Sequence, residues 1–324
     1  MIILLLTWTF TIKQDIMWLE FFAGTGNLTK VMTSAQYKSC RFDIMDNTQP
    51  GNRRSNFMDL AVASGFALAT LFLLRALPDD FGCHLGLKCS SFSKMNVGTS
   101  NRSPCTSIGW EQFKSVILGN CLLERSCLLI SLATCLGGVW SLEQPSGALT
   151  EFYPAFRFTI RNIFDCGGET AVQCVRWWMA HYKSPTPKRH YAYSNTKTIH
   201  KIDKGVLQGW KKSNAKKVVT AERYVDGSGR KRYKGTGQLR TTEVYPVPFA
   251  REVCDLFEEM KSFKLGQPQL PSVVPPAIET FQQLRMSDPE IWRHVDLASV
   301  YNYLRRSKKL RIPVEWQHLM PSLL

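Results

Sequence analysis

From position 16 onward, short apolar runs alternate with longer segments whose apolar residues recur every three or four positions. Ile16–Phe22, apolar but for Glu20, reads as a strand running into the turn Ala23-Gly24-Thr25-Gly26. Asn27 then stands where it can cap a helix reaching Ala35. Ser39–Ile44 reads as a second strand, with Asp43 at its end, and Phe57–Leu60 as a short third one. A helix follows to Leu77, stopped by Pro78. Phe81–Leu87 is the next strand, Glu111–Leu136 a long helix, and Val139–Leu142 a strand leading into Glu143-Gln144-Pro145. This rhythm predicts an α/β fold with a doubly wound, mostly parallel sheet covered on both faces.

After Gly168 the period is lost. Gly227, Gly229, Gly235 and Gly237 mark loops or hairpins, and Pro248–Lys261 is helical again. Gly266–Pro276 holds four prolines and reads as a linker, followed by a helical stretch over Glu279–Arg306. The expected organisation is an apolar extension at 1–15, an α/β body at 16–182 and a basic, irregular, β-rich insertion at 183–240. A return strand and helix at 241–265 and a helical tail at 266–324 complete it.

Charge sharpens this outline. The 324 residues carry a formal net charge of +15, and the 58 residues from Lys183 to Arg240 hold sixteen Lys or Arg against three acids. Lys188, Arg189, Lys211, Lys212, Lys216, Lys217, Arg230, Lys231 and Arg232 lie in this stretch, interleaved with Tyr191, Tyr193, Trp210, Tyr224 and Tyr233. Cations suit phosphates and aromatic rings suit bases, so the expected partner is nucleic acid. Three apolar segments are short or interrupted for a bilayer: Met1–Phe10, Leu60–Leu74, and Val116–Val139, which contains Glu124 and Arg125. No membrane association is expected. Ten cysteines occur without a C-x-x-C pair, which argues for an intracellular chain with free thiols and no metal site.

Three strand ends carry candidate chemistry. The glycine turn after the first strand lets backbone approach a ligand at a helix start, and Asp43 ends the next strand where doubly wound folds place a carboxylate for ribose hydroxyls. The P-loop lysine is missing, which disfavours a triphosphate; the turn is either part of an S-adenosylmethionine pocket or an ordinary tight turn of a doubly wound fold. Asp59 either meets the adenine amino group or caps the helix that follows. Cys89, beyond the strand Phe81–Leu87, is either a nucleophile whose pKa the adjacent Lys88 lowers or an ordinary loop thiol. Glu143 is either a proton donor to a ring nitrogen or a structural carboxylate.

In order and spacing these segments resemble the DNA (cytosine-5)-methyltransferases. Glu20-Phe21-Phe22-Ala23-Gly24-Thr25-Gly26 is similar to their D-L-F-A-G-x-G, Lys88-Cys89-Ser90-Ser91-Phe92-Ser93 to P-C-Q-x-F-S, and Glu143-Gln144-Pro145 to E-N-V or E-N-P. Pro187-Lys188-Arg189-His190-Tyr191 is similar to Q-x-R-x-R through one arginine. Thr242–Phe249 corresponds to the late segment that closes the cofactor pocket. The resemblance implies a Rossmann-like methyltransferase fold in which Phe22, Ala23, Gly24, Gly26, Asp43 and Asp59 bind S-adenosylmethionine. It also implies that Cys89 attacks carbon 6 of a flipped cytosine, that Glu143 protonates the ring nitrogen and that Arg189 holds the base. The basic stretch would be a target-recognition region on DNA, in the nucleus. The chain departs from the pattern at Lys88, Ser90 and Gln144. Two alternatives stand beside this reading: a methyltransferase of the same fold acting on RNA or a small molecule, and a non-catalytic nucleic-acid-binding relic. Cys89 and Glu143 are expected side by side, within about 10 Å, in one cleft.

Overall fold

In the computed structural model, residues 12–47, 57–168, 171–209 and 218–262 are described. The chain divides into two units, Met1–Gln269 and Leu270–Leu324. The apolar start, Trp210, the four lysines at 211, 212, 216 and 217, the proline-rich linker and the tail helix lie outside the described residues.

Six strands form one sheet: β1 (Trp18–Phe21), β2 (Ser39–Phe42), β3 (Gly82–Leu85), β4 (Val139–Pro145), β5 (Gln173–Trp178) and β6 (Arg189–Ser194). Their spatial order is β2-β1-β3-β4-β6-β5. The first four are parallel, and β6 runs antiparallel to both β4 and β5. The connection from β1 to β2 goes one way along the sheet and β3 lies on the other side of β1. The carboxyl ends of β1 and β3 therefore flank a topological switch point, where ligands bind in open α/β sheets.

Alternating side chains give the sheet two buried faces, as expected where helices cover both sides. Leu19, Phe21, Leu85, Trp140, Leu142 and Tyr191 face α2 (Ala63–Leu74), α3 (Lys114–Cys135) and α4 (Pro154–Gly167). By length and composition α3 could cross a membrane; here its inner residues Leu122, Leu123, Leu129 and Ile130 are packed into this core. α4 starts at Pro154, whose fixed φ suits a first helical turn. On the other face Trp18, Val139, Val175, Trp177 and Ala192 meet α1 (Asn27–Ser34) and α5 (Val247–Ser262). α5 is amphipathic, burying Phe249, Val253, Phe257 and Met260 at helical spacing, and Phe257 meets Trp18 edge-on at 5.3 Å. This mostly parallel architecture, with a reversed strand beside β4, is the expected doubly wound, Rossmann-like fold.

Several sequence expectations need correction. Residues 57–60 form turns, not a strand, because Asp59 folds its carboxylate back onto the Ala61 amide. Gly26, in the left-handed region, is the residue that precedes α1, and Asn27 is the first helical residue, its side chain turned outward to the Tyr245 carbonyl. β4 continues through Glu143 to Pro145 because β6 pairs with Ser141–Pro145. The insertion contains a separate hairpin, β7 (Ala221–Val225) and β8 (Lys231–Gly235). The Asp226 carboxylate closes its turn, accepting from the amides of Ser228 and Arg230.

Candidate active site

At the end of β1 the chain enters the left-handed region three times, at Phe22 (φ 57°), Gly24 (φ 52°) and Gly26 (φ 67°). Glycine makes two of these inexpensive; Phe22 is held there at a cost of about 1–3 kcal/mol. The Gly24 amide donates to Asp43 Oδ2 at 2.8 Å, which joins the glycine turn to the end of β2. Among the described residues a Cβ on Gly24 would meet nothing within 4 Å, so they leave open space beside this turn. Below it Glu20 is buried. Its Oε2 accepts from the Thr29 amide at 2.7 Å and the Thr29 hydroxyl at 2.6 Å, and its Oε1 has no partner among the described residues. Burial pushes the Glu20 carboxyl up to about 7, against the Thr29 hydrogen bonds and the Arg41 charge, which pull it down. Asp59 forms the turn before α2, its carboxylate accepting from the Ala61 amide, while the helix itself begins after Val62 with no side-chain cap.

Cys89 follows β3 on a turn in which its carbonyl accepts from the amides of Phe92 and Ser93, both at 2.9 Å. Phe92 anchors this loop in the core. The buried Arg102 staples it from beneath, donating to the Ser91 carbonyl at 3.1 Å, Ser91 Oγ at 3.0 Å and Asn120 Oδ1 at 2.8 Å. Gln144, buried at the end of β4, donates to the Leu87 and Glu143 carbonyls and accepts from Thr150, which ties the β3 loop to β4.

Glu143 is buried with both oxygens engaged. Oε1 pairs with His190 Nδ1 and Oε2 accepts from the Tyr245 hydroxyl at 2.6 Å. Burial opposes its charge, but His190, the Tyr245 hydroxyl and the Lys188 charge outweigh burial and hold the carboxyl at about 2. Glu143 is therefore held as a carboxylate. Burial is also the largest influence on Cys89 and raises its pKa. Lys188 lowers it, and the charges of Glu143 and Glu243 raise it. The thiol and the carboxylate thus lie within electrostatic reach of each other. The cation that acts on the thiol is Lys188; Lys88 is turned to solvent, which corrects the expected neighbour effect.

The remaining residues divide cleanly. Arg189 is exposed, its guanidinium 5.4 Å from the Trp178 ring, on the opposite side of β6 from His190. Strand alternation thus points His190 and the preceding Lys188 toward Glu143 and takes Arg189 away. Lys188 Nζ also donates to the Thr242 carbonyl at 3.4 Å. The β7–β8 hairpin is exposed along its described residues. Arg223 pairs across it with Tyr233, Val225 with Lys231, and Tyr224 with Arg232, while Arg230 lies in the turn just before β8. Tyr224 is 48% and Tyr233 59% exposed.

The sequence reading passed over His84, Ser141, His190 and Tyr245. His84 sits opposite Glu20 and Ser141 in the sheet, with Nδ1 2.8 Å from Ser141 Oγ and Nε2 3.0 Å from the Tyr245 hydroxyl. Burial holds it neutral, with its pKa lowered to about 4. A histidine inside the otherwise apolar Phe81–Leu87 was the only signal for it.

No protein-family model matches the sequence, and no curated protein matches it. Among solved structures, the Dnmt2 methyltransferase of S. pombe is similar over 62% of this chain and 58% of that chain, at 14% identity and a TM-score of 0.34. The chain therefore spans less than two thirds of that structure's length.

Proposed function

We propose that this protein transfers a methyl group from S-adenosylmethionine to carbon 5 of cytosine in DNA, with Cys89 as nucleophile. The observation that carries the reading is a thiol just beyond β3 within electrostatic reach of an ionised carboxylate near the end of the neighbouring strand β4. The glycine turn suits the cofactor. Among the described residues open space lies beside Gly24, Asp43 is fixed to the turn, and Glu20 presents an orphan Oε1 close beneath. Phe22, Ala23, Gly24, Gly26 and Asp43 would hold S-adenosylmethionine, which when bound supplies an electrophilic methyl group.

The chain's own residues account for the rest. The Cys89 sulfur bonds to carbon 6 as its proton leaves, a step that the Lys188 charge favours. Each Glu143 oxygen accepts one hydrogen bond from the protein and keeps a free lone pair. The carboxylate can therefore take the exocyclic amino group of the base and stabilise a proton arriving on the adjacent ring nitrogen. Carbon 5, made nucleophilic, takes the methyl group. Carbon 5 then loses its own proton to solvent as the sulfur leaves, and the proton on the ring nitrogen passes to the departing thiolate, which restores the ring and the thiol. The exposed, basic, tyrosine-bearing hairpin supports nucleic acid as the partner.

A duplex carrying 5-fluorocytosine tests this directly, since fluorine cannot leave as a proton. With S-adenosylmethionine present, the protein should form a covalent adduct that is absent in Cys89→Ala, and calorimetric cofactor binding should be lost in Gly24→Val. Cofactor binding without an adduct would move the reaction to another substrate. The burial that keeps Cys89 a thiol favours one second reading, a nucleic-acid-binding protein without catalysis, which predicts salt-sensitive DNA binding with neither adduct nor cofactor binding.

A further inference from the structure

Tyr245 reaches the site from a segment 102 residues beyond Glu143 in the chain. Pro246 and Pro248 bracket Val247 directly after it and restrict the backbone that delivers the ring. The ring lies edge-on to His84, centroids 5.3 Å apart, and tilts against Phe249 at 5.4 Å. Its hydroxyl makes two bonds whose direction is fixed by chemistry. Glu143, ionised, can only accept, so the phenol donates to Oε2 at 2.6 Å. The phenol oxygen then accepts from His84 Nε2 at 3.0 Å, which leaves Nδ1 unprotonated and makes Ser141 its donor at 2.8 Å. One assignment of protons satisfies all four side chains.

Two further features show that this place is reserved for Tyr245. Gly86, just beyond β3, has no side chain; a Cβ there would stand 2.7 Å from the phenol oxygen. At the other end of the residue, the Tyr245 carbonyl accepts from Asn27 Nδ2 at 2.7 Å, and Asn27 opens the helix that leaves the glycine turn. One residue thus touches the carboxylate with its side chain and the start of α1 with its backbone.

We propose that Tyr245 is a positioning residue of the methyl-transfer site, fixing the plane of the Glu143 carboxylate through its hydroxyl while its carbonyl keys that carboxylate to the glycine turn. The inference rests on the methyl-transfer reading. His84 and Ser141 act behind Tyr245 by holding its hydroxyl hydrogen toward Glu143. The other groups facing Glu143 are His190 from β6, Lys188 from the residue before that strand and Cys89 from the β3 loop.

The test compares Tyr245→Phe and Gly86→Ala with the unaltered full-length protein. The first removes the hydroxyl and the second displaces it while keeping every titratable group. Methyl transfer to a cytosine-containing duplex is followed across pH. Both variants should lose about ten- to a hundredfold in kcat, the scale of a misplaced reacting group, with KM for the duplex nearly unchanged. In Tyr245→Phe the acidic limb of the kcat profile should move to higher pH, because a donor to the carboxylate is gone while His190 and Lys188 remain. An unchanged kcat and limb in folded variants, or a change confined to KM, would overturn the proposal. Nitrogen-15 NMR of the histidine rings gives a readout independent of turnover. The His84 ring should carry its proton on Nε2 in the unaltered protein and lose that proton's exchange protection in Tyr245→Phe. If the unaltered protein transfers no methyl group, the enzyme reading fails by itself. A His84 signal indifferent to Tyr245→Phe would instead remove the hydrogen-bonded chain on which the positioning role stands.

Discussion

Replacing Glu20 by Gln keeps an acceptor oxygen for Thr29 and removes one buried ionisable group. Glu20 is 1% exposed, and its carboxyl is pushed from the ordinary 4.5 up to about 7. Between those values the folded protein binds a proton that the unfolded chain has released, so stability falls as pH rises through this window and levels off above it. At about 1.4 kcal/mol for each pH unit between the two values, the loss amounts to ~3 kcal/mol. His84 works in the opposite direction. Its pKa is lowered to about 4, so it favours the folded state increasingly as pH rises from about 4 toward 6.5. Because His84 is present in both proteins, its effect cancels in their difference. Urea denaturation of Glu20→Gln and the unaltered protein, from about pH 4.5 to about pH 8, should show the variant gaining ~3 kcal/mol relative to its parent across that range. A difference constant to within ~0.5 kcal/mol would refute the claim that burial holds a proton on Glu20.

Other perturbations probe the loops around the site. Gln144→Ala leaves the buried Leu87 carbonyl and Thr150 hydroxyl without their partner and should cost ~2–5 kcal/mol in a denaturant titration, with a matching fall in adduct yield. Gly26→Ala places a Cβ at φ 67° and 2.9 Å from Arg41 Cδ, so it should lose about 1–2 kcal/mol of stability and weaken S-adenosylmethionine binding in calorimetry. Arg230→Ala with Lys231→Ala, both exposed on the hairpin, should leave the melting temperature unchanged. The same pair should flatten the salt dependence of duplex binding by a log–log slope of about 0.9 for each phosphate contact removed.

The alternation of strands and helices was legible because it depends on local periodicity. Trp18–Phe21, Gly82–Leu85 and Val139–Leu142 are apolar runs of strand length, and each lies within a strand of the fold. The glycines after β1 announced their turn because φ near +52° and +67° favours residues without a Cβ. Cys89 could be placed beyond β3 for the same reason, since strand ends follow from the pattern that precedes them. The short strand expected at 57–60 failed where a local side-chain bond, from the Ala61 amide to Asp59, outcompeted a weak apolar pattern.

The chemical state of the site was not available from any such pattern. Which residues of β6 face Glu143 depends on the antiparallel register with β4, and a shift of one position would exchange His190 for Arg189. Whether Glu143 is charged depends on His190, Lys188 and Tyr245, which are 45 or more positions away in the chain. The amino-acid order by itself determined the layered α/β body, the glycine turn and the strand ends, because neighbouring residues set backbone conformation. Only the tertiary structure decided which groups are buried together, and with them the proton each one holds, because desolvation and hydrogen bonding act between atoms close in space however distant in sequence.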